Sequence, residues 1–179
     1  FISLGVLFAE SGFSNALIHN QHRREEDFST AFYFNILMAI MVVVVIFIVS
    51  PFAAIFFKTP ILENIMKVTS VCIIFNAASM VYRTKLNIDL DFKTQTKVSF
   101  LSLLFSGIIG VILAIKGFGV WSLVVQMILQ NFLVLVFFLV FVRWKPLWSF
   151  SFLSFNKMFH FGFNVLLAGF LQSIYTNLY

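Results

Sequence analysis

Residues 83–97 read RTKLNIDLDFKTQTK, and this polar stretch separates two long apolar blocks of the chain. It carries four cationic side chains and two carboxylates, which is too much charge for the hydrocarbon core of a bilayer. If the blocks on both sides cross a membrane, the stretch lies at a water interface. Loops rich in Lys and Arg stay on the cytoplasmic side. The stretch therefore predicts the direction of every other crossing.

The composition is typical of an integral membrane protein. Hydrophobic residues make up 61% of the 179 residues, charged residues only 11%, and Phe alone occurs 26 times. A water-soluble domain of this size could not cover so much apolar surface. The formal charge of +5 is typical of loops facing an anionic leaflet, and no basic cluster interleaved with aromatic residues indicates nucleic-acid binding. The sequence therefore predicts an all-α, polytopic transmembrane helix bundle.

The chain contains about six apolar stretches of the length that a membrane crossing requires, roughly 20 residues. They lie at about 1–19, 32–57, 62–82, 98–115, 118–142 and 160–179. Every second connection is long, at about 20–31, 83–97 and 143–159. Because Phe1 and Tyr179 both lie inside apolar stretches, we expect the chain to be a piece of a longer protein.

The cations are divided unevenly between the two sides of this bundle. Nine of the twelve lie in the three long connections, whereas the other side holds Lys58, Lys67 and Lys116. This asymmetry predicts that the long connections are cytoplasmic and that the first span runs from outside to inside. The last connection, 143–159, also holds two Trp and several Phe, which predicts an amphipathic piece in the membrane interface.

The first predicted span carries an acidic residue near mid-depth. On a helix, one face of this span holds Ser3, Glu10, Ser11, Ser14 and Asn15. An ionised carboxylate at that depth costs on the order of several kcal/mol unless it is hydrated or paired. Glu10 is therefore a candidate for a substrate or ion cavity. Pairing with a Lys or Arg of another helix would also explain it.

Polar residues follow one face of four further spans. They are Thr69, Cys72, Asn76, Ser79 and Arg83; Ser99, Ser102, Ser106 and Gly110; Ser122, Gln126 and Gln130; and Gly162, Gly169, Gln172, Ser173 and Thr176. A hydrogen bond between helices, worth on the order of 1 kcal/mol, explains any one of them. Together they predict a shared hydrated interior. The predicted cavity residues are Glu10, Ser14, Asn15, Asn76, Gln126, Gln130 and Gln172.

The span 32–57 has no such polar face, which predicts broad contact with lipid. Ser50-Pro51 within it predicts a kink or an end of the helix. Proline is tolerated there if Ser50 or a neighbouring helix satisfies the carbonyl group that proline leaves free.

The sequence shows no arrangement typical of catalysis, so we expect a protein that is not an enzyme. The three His do not form a metal-binding motif with cysteine, and Cys72 is the only cysteine. No Gly-rich phosphate loop or nucleophile motif occurs. We therefore expect no metal and no cofactor. The run Glu25-Glu26-Asp27 predicts a solvated segment that also places negative charge at the start of the next helix.

Five strings occur in order along the chain: AESGFSNALI at 9–18, DFSTAFYFN at 27–35, KLNIDLDF at 85–92, GFGVWSLVVQ at 117–126 and FHFG at 159–162. Together they resemble the O-antigen and colanic-acid type polysaccharide flippases of the multidrug/oligosaccharidyl-lipid/polysaccharide exporter superfamily. The fourth string is similar to the Gly-x-Gly-x-Trp-x-Leu motif that opens that family's sixth helix. The resemblance covers essentially the whole chain, as helices two to seven of twelve to fourteen.

The resemblance implies a two-lobed transporter working by alternating access, of which residues 1–179 form a partial N-terminal transmembrane lobe. The implied function is to move undecaprenyl-pyrophosphate-linked oligosaccharide across the bacterial inner (plasma) membrane for lipopolysaccharide or exopolysaccharide biosynthesis. The implied partners are this lipid-linked oligosaccharide, the lipid bilayer and the missing helices of the same protein. Such flippases are expected to meet the pyrophosphate with cations, yet within these spans only Lys67 and Arg83 are positively charged.

Other functional classes compete with this interpretation. A cation- or proton-coupled drug or metabolite antiporter of the same superfamily would need an ion site and no glycan pathway. A membrane-embedded polysaccharide polymerase or acyltransferase would need a sizeable interfacial loop with His, Arg or carboxylate constellations. A purely structural membrane subunit would leave Glu10 and the polar faces unexplained.

Overall fold

The computed structural model describes residues 17–18, 24–148, 151–152, 155–156 and 159. It contains four long helices there: α1 (Glu25–Phe56), α2 (Ile61–Ile88), α3 (Phe92–Ile115) and α4 (Val120–Phe141). Each is long and apolar enough to cross a membrane. They match the second to fifth predicted spans and confirm the all-α membrane fold for the described residues. The sixth predicted span, and the first except for Leu17 and Ile18, lie outside that part.

The turn between α2 and α3 is much shorter than the polar stretch 83–97 that separates the apolar blocks. Only residues 89–91 are non-helical, because both helices continue beyond their apolar parts. Backbone hydrogen bonds within a helix do not require apolar side chains. Asp91 also caps α3, since its Oδ1 accepts a hydrogen bond from the Thr94 backbone N–H at 3.0 Å. Most of the polar stretch is therefore helical.

The helices pack as two hairpins, α1 with α2 and α3 with α4, and α2 also packs against α4. Tyr82 of α2 stacks on Phe138 of α4, with ring centroids 6.3 Å apart and planes 9° apart. Each helix contains an 18-residue window that is apolar enough to span a membrane. In α2, 56% of this window is buried inside the bundle, whereas in each of the other three helices the buried share is 22% or less. The helix α2 is therefore the central helix of the described bundle.

The larger apolar core lies at the end of the bundle where α1 and α3 begin and α2 and α4 end. It gathers Leu17, Phe28, Ala31, Val81, Tyr82, Leu86, Val98, Phe138 and Trp144. We call this the basic end, because its described cations are Arg24, Arg83, Lys85, Lys93, Lys97, Arg143 and Lys145. The hairpin arrangement thus collects at one end most of the positive charge of the chain.

Pro51 lies inside α1, and the helix continues past it to Phe56. Proline has no N–H to donate, which leaves the carbonyl group of Phe47 without its usual partner. Ser50 Oγ donates to that carbonyl oxygen at 3.1 Å. The role predicted for Ser50 is confirmed, and a helix end at Pro51 is wrong. The apolar side chains of α1 are largely exposed, as broad contact with lipid requires.

Candidate functional site

Three of the seven predicted cavity residues fall within the described part of the chain. Asn76 lies on α2, Gln126 and Gln130 lie on α4, and all three are half-buried. The other four, Glu10, Ser14, Asn15 and Gln172, lie outside the described residues. The cavity itself stays a prediction.

Asn76 and Gln130 lie within about one helical turn of each other along the bundle axis. Phe75 of α2 packs against Phe132 of α4, with ring centroids 5.6 Å apart. Each of the two amide residues is within two positions of one of these rings, which is about 3 Å along a helix axis. The contact between α2 and α4 therefore brings two predicted residues within about one helical turn of each other in depth.

Gln126 is positioned by a glycine at the contact between α3 and α4. A methyl group on Gly110 would lie 2.6 Å from Gln126 Oε1 and 2.9 Å from Gln126 Cδ, both closer than van der Waals contact. Gly110 is buried, so the Gln126 side chain occupies the groove that the absent side chain leaves. One predicted cavity residue is therefore also a packing residue.

The serine face of α3 packs against α4. Ser102 and Ser106 are fully buried, in a stripe with Val98 and Gly110 at intervals of four residues. Val98 shares a core cluster with Phe138 of α4, and Gly110 contacts α4 at the other end of the stripe. Small side chains at this spacing let two helices approach closely. For Ser102 and Ser106, the prediction of a hydrated face is therefore wrong.

Several hydroxyl groups in the spans are satisfied within their own helices. Thr69, Ser79 and Ser102 each donate to the carbonyl oxygen four residues earlier, at 2.7, 2.8 and 2.7 Å. Ser122 donates to the carbonyl oxygen three residues earlier, at 2.6 Å. Such bonds satisfy a hydroxyl without a partner helix. A hydrogen bond between helices therefore does not account for these four residues.

Polar side chains also meet between helices in the apolar parts of the described spans. Asn35 Nδ2 of α1 donates to the sulfur of Met80 on α2 at 3.4 Å. Asn131 of α4 lies beside Cys72 of α2, while its Nδ2 donates to the Met127 carbonyl oxygen of its own helix at 2.8 Å. The sequence pattern did not indicate Asn131, because this residue lies outside the four-residue spacing that defines the polar face of its span. Its contact with Cys72 adds a polar link at the contact of α2 with α4.

A second cluster joins three distant parts of the chain at the basic end. Glu25 Oε1 accepts a hydrogen bond from Lys85 Nζ at 2.8 Å, and Glu25 Oε2 accepts one from Trp144 Nε1 at 2.6 Å. We call Glu25, Lys85 and Trp144 the carboxylate cluster. One side chain thus connects the first turn of α1, the last turn of α2 and the segment after α4.

Trp144 is the buried member of this cluster, with 7% of its surface exposed. Its ring lies edge-on to Phe28, Phe32 and Tyr82, with centroid distances of 6.4, 6.1 and 5.2 Å. Lys85 Nζ lies 5.5 Å from the indole ring centroid, within the range of a cation–π contact. The indole therefore has apolar neighbours for its ring and an acceptor for its N–H.

The acidic run 25–27 is more than a solvated segment. All three residues lie in the first turn of α1, which confirms the predicted negative charge at a helix start. Asp27 is buried, and its Oδ2 accepts a hydrogen bond from the Arg24 backbone N–H at 2.8 Å. Both oxygens of Glu25 have partners. A simply solvated run is therefore wrong for these two carboxylates.

The cations of the basic end differ in their surroundings. Lys85 is paired with Glu25, and Lys97 Nζ lies 4.7 Å from the ring centroid of Phe141. Arg83 is half-buried near the end of α2. At the opposite end, Lys67 forms an ion pair with Glu63 one turn earlier. The net positive charge at the basic end can attract phosphate groups, whether of lipid headgroups or of a ligand.

Comparison with known proteins gives the following matches. The model of a family described as polysaccharide biosynthesis protein matches residues 1–179, the whole chain. The chain is similar to the succinoglycan biosynthesis transport protein ExoT of Rhizobium meliloti (strain 1021), with 24% identity over 161 residues, 90% of this chain and 33% of that protein. It is similar to the teichuronic acid biosynthesis protein TuaB of Bacillus subtilis (strain 168), with 23% identity over 155 residues, 86% of this chain and 32% of that protein.

The chain therefore spans about a third of the length of these relatives. No solved structure gives a significant match to it.

Proposed function

The chain belongs to the polysaccharide biosynthesis protein family, and on that premise we propose that it is part of a flippase for lipid-linked oligosaccharide. The family match over the whole chain carries the proposal. Four membrane-length helices and a relative named as a transport protein support transport, without catalysis, as the activity. The proposed substrate is an undecaprenyl-pyrophosphate-linked oligosaccharide, and the proposed location is the bacterial inner membrane.

The proposed pathway for the glycan uses neutral polar side chains within the spans. Asn76, Gln126 and Gln130 are half-buried amides, and an amide both donates and accepts hydrogen bonds, as sugar hydroxyls do. The lipid tail would remain in the bilayer beside the apolar helix faces. Rocking of this lobe against the rest of the protein would expose the glycan first to one side and then to the other.

The basic end is the proposed loading side for the substrate. Basic segments stay in the cytoplasm, where lipid-linked oligosaccharides would enter the transporter. Phosphate groups would be attracted to the cations there, including the half-buried Arg83. The small number of cations within the spans is compatible with this arrangement, because the charged part of the substrate is then held at the mouth.

Deletion of the full-length gene in its native host tests the proposal. We expect loss of surface polysaccharide and accumulation of lipid-linked repeat units on the cytoplasmic face, with both defects reversed by the full-length protein. Normal polysaccharide together with increased sensitivity to a small toxic cation would favour the antiporter instead. Accumulation of short, already exported repeat units would favour a polymerase.

Glu10 is the proposed acidic residue of the cavity, and its test uses the full-length protein. We expect Glu10→Gln to reduce polysaccharide export at unchanged membrane abundance, because the amide keeps the size and removes the charge. The matched control is Glu26→Gln, the same change at an exposed acid in the first turn of α1. Normal export by the Glu10→Gln protein would remove Glu10 from the mechanism.

A further inference from the structure

The segment that follows α4 is attached to the bundle along one side. We call residues 143–148 and 151–152 the strap, of which residues 143–148 are non-helical. The indole N–H of Trp144 donates to Glu25, as described above. Further along, the backbone N–H of Leu147 donates to Ser29 Oγ at 2.9 Å, and that of Ser151 donates to Thr30 Oγ1 at 3.1 Å. Three successive points of the segment are thus bound to the first two turns of α1.

The two hydroxyl acceptors are themselves held in place. Ser29 and Thr30 are fully buried. Their hydroxyls donate to the carbonyl oxygens of Glu25 and Glu26, at 3.0 and 2.7 Å, so each hydroxyl donates to its helix and accepts from the segment after α4. A hydroxyl oxygen with one donated and one accepted bond has little freedom to turn. The side of the strap that faces α1 is therefore defined.

The opposite side of the strap is apolar, aromatic and basic. Trp148 is 99% exposed and Phe152 is 75% exposed. Arg143 and Lys145 are also exposed. Within this segment the buried Trp144 and the exposed Trp148 have opposite surroundings, although both are indoles. Because the inner side is fixed on α1, two aromatic rings and two cations stay exposed on the outer side of the strap.

The position of the strap relative to α4 indicates which part of the membrane surrounds these exposed side chains. It begins two residues after the last residue of α4, a membrane-length helix, so it lies at the edge of the hydrocarbon core. Trp is enriched at this depth because its ring is apolar and its N–H needs a polar partner. Cations beside it are attracted to anionic headgroups. Aromatic and basic side chains together match the chemistry of a lipid headgroup layer.

From this geometry we infer that the strap is a membrane-interface anchor: Trp148 and Phe152 enter the headgroup layer at the basic end, while Trp144 stays inside the protein. The sequence predicted an amphipathic piece in this region, and the structure assigns the side chains to its two sides. The inference requires that α4 spans a bilayer and does not depend on the transported substrate.

Tryptophan fluorescence of the full-length protein in phosphatidylethanolamine–phosphatidylglycerol vesicles tests the anchor. The contribution of Trp148 is the difference between the wild type and Trp148→Phe. We expect lipids brominated near the headgroup to quench this contribution more strongly than lipids brominated near the chain end. The contribution of Trp144, obtained from Trp144→Phe, is the matched control and should be quenched less by either lipid.

Two results would overturn the inference. Quenching of Trp148 by aqueous iodide, without quenching by brominated lipids, would place the ring in water. Protection of Trp148 from both quenchers would show that another part of the protein covers it. Loss of polysaccharide export in any variant would leave this measurement unaffected, because it reports only the depth of the ring.

A second measurement tests the role of the cations. We expect Arg143→Gln combined with Lys145→Gln to weaken the shallow quenching of Trp148 in vesicles containing phosphatidylglycerol. In vesicles of neutral lipid alone, the double variant and the wild type should give equal quenching. If the double variant and the wild type gave equal quenching in both kinds of vesicle, Arg143 and Lys145 would not contribute to the anchor.

Discussion

At the level of single residues, the Glu25 side chain connects two distant parts of the chain to the start of α1. Its two oxygens bind Lys85 and Trp144, which are 60 and 119 residues away. Because the Glu25 side chain is 55% exposed, water screens the ion pair and its contribution to stability is modest. Its main effect is on position, since it sets where the segment after α4 meets the bundle.

A double-mutant cycle measures this coupling. We expect Glu25→Gln and Lys85→Met to interact by about 0.2–1 kcal/mol in the unfolding free energy of the detergent-solubilised protein, the usual range for an exposed ion pair. Glu63 and Lys67, which pair within α2, are the matched control, with about 0.3–0.5 kcal/mol. Additive effects at Glu25 and Lys85 would show that the pair contributes nothing in solution.

Asp91 gives a prediction for acidic pH. Hydrogen bonds from the hydroxyl and backbone N–H of Thr94 hold the pKa of Asp91 below its ordinary value of 3.8. A carboxylate with a lowered pKa in the folded state stabilises the fold above its unfolded pKa, and this contribution is lost as pH falls through the folded pKa. We expect the wild type to melt above Asp91→Asn near neutral pH.

The difference in melting temperature between these two proteins should shrink once the pH falls below about 4, because protonation removes the charged acceptor from the wild type. Thermal unfolding across that range of pH measures it. A difference that stays constant down to the lowest pH at which both proteins fold would contradict this role of Asp91. Thr94→Val, which removes the hydroxyl donor, should reproduce part of the effect.

At the level of elements, the stripe on α3 shows how one pattern permits two structures. Ser102, Ser106 and Gly110 are small as well as polar, so the same spacing suits a hydrated face and a close helix contact. The contact prevails because their side chains leave a groove for α4, and their hydroxyls bond to carbonyl groups of α3. On α4, by contrast, Gln126 is long enough to remain half-exposed although its side chain lies against Gly110 of α3.

Two glycines on α3 give a matched pair of variants. We expect Gly110→Ala to destabilise the bundle by about 1–3 kcal/mol, since the new methyl group would overlap the Gln126 side chain. Gly107→Ala is the control, because a methyl group there meets nothing within 4 Å and alanine favours the helix. Thermal unfolding in detergent distinguishes them.

The double variant Gly110→Ala, Gln126→Ala provides the check on cause. Removing the long amide should restore much of the lost stability, because the overlap involves that side chain. Equal effects of Gly110→Ala and Gly107→Ala would show that the groove between α3 and α4 is unimportant for packing.

At the level of the whole molecule, the hairpin order fixes which helix ends share a side. Contacts between Glu25, Lys85 and Trp144 join the start of α1, the end of α2 and the segment after α4. The turns at 57–60 and 116–119 therefore lie on the opposite side. Lys and Arg are therefore distributed unevenly between the two ends of the described bundle, and this asymmetry predicts its orientation in a membrane.

Cysteine labelling on intact cells tests that orientation. In the full-length protein without other cysteines, we expect a membrane-impermeant maleimide to label Phe118→Cys and not Leu90→Cys. Both positions are exposed and lie in turns at opposite ends of the bundle. Permeabilised cells should label both, which controls for reactivity. The reverse pattern on intact cells would invert the proposed topology and place the basic end outside.

Much of the fold could be predicted from the sequence, because a helix that crosses lipid must satisfy its own backbone and cover it with apolar side chains. Four spans were therefore recognisable from apolar length alone. The ends of the helices were harder to predict. The helix α1 begins within the predicted connection 20–31, and α2 and α3 extend into the stretch 83–97 so that only a turn remains between them. Polar helix ends carry little sequence signal, since hydrogen bonds within a helix form equally well outside the hydrocarbon.

Apolar length, charge placement and proline chemistry act locally along the chain, so the amino-acid sequence is enough to predict a helical membrane protein, as the described residues confirm. The packing of the helices, by contrast, is needed to show that Ser102 and Ser106 are buried in the bundle and that Glu25 binds Lys85 and Trp144. Those outcomes depend on which helix lies beside which, and on the distance at which they pack. Contacts between residues 60 or 119 positions apart leave no periodic pattern in the sequence from which they could be inferred.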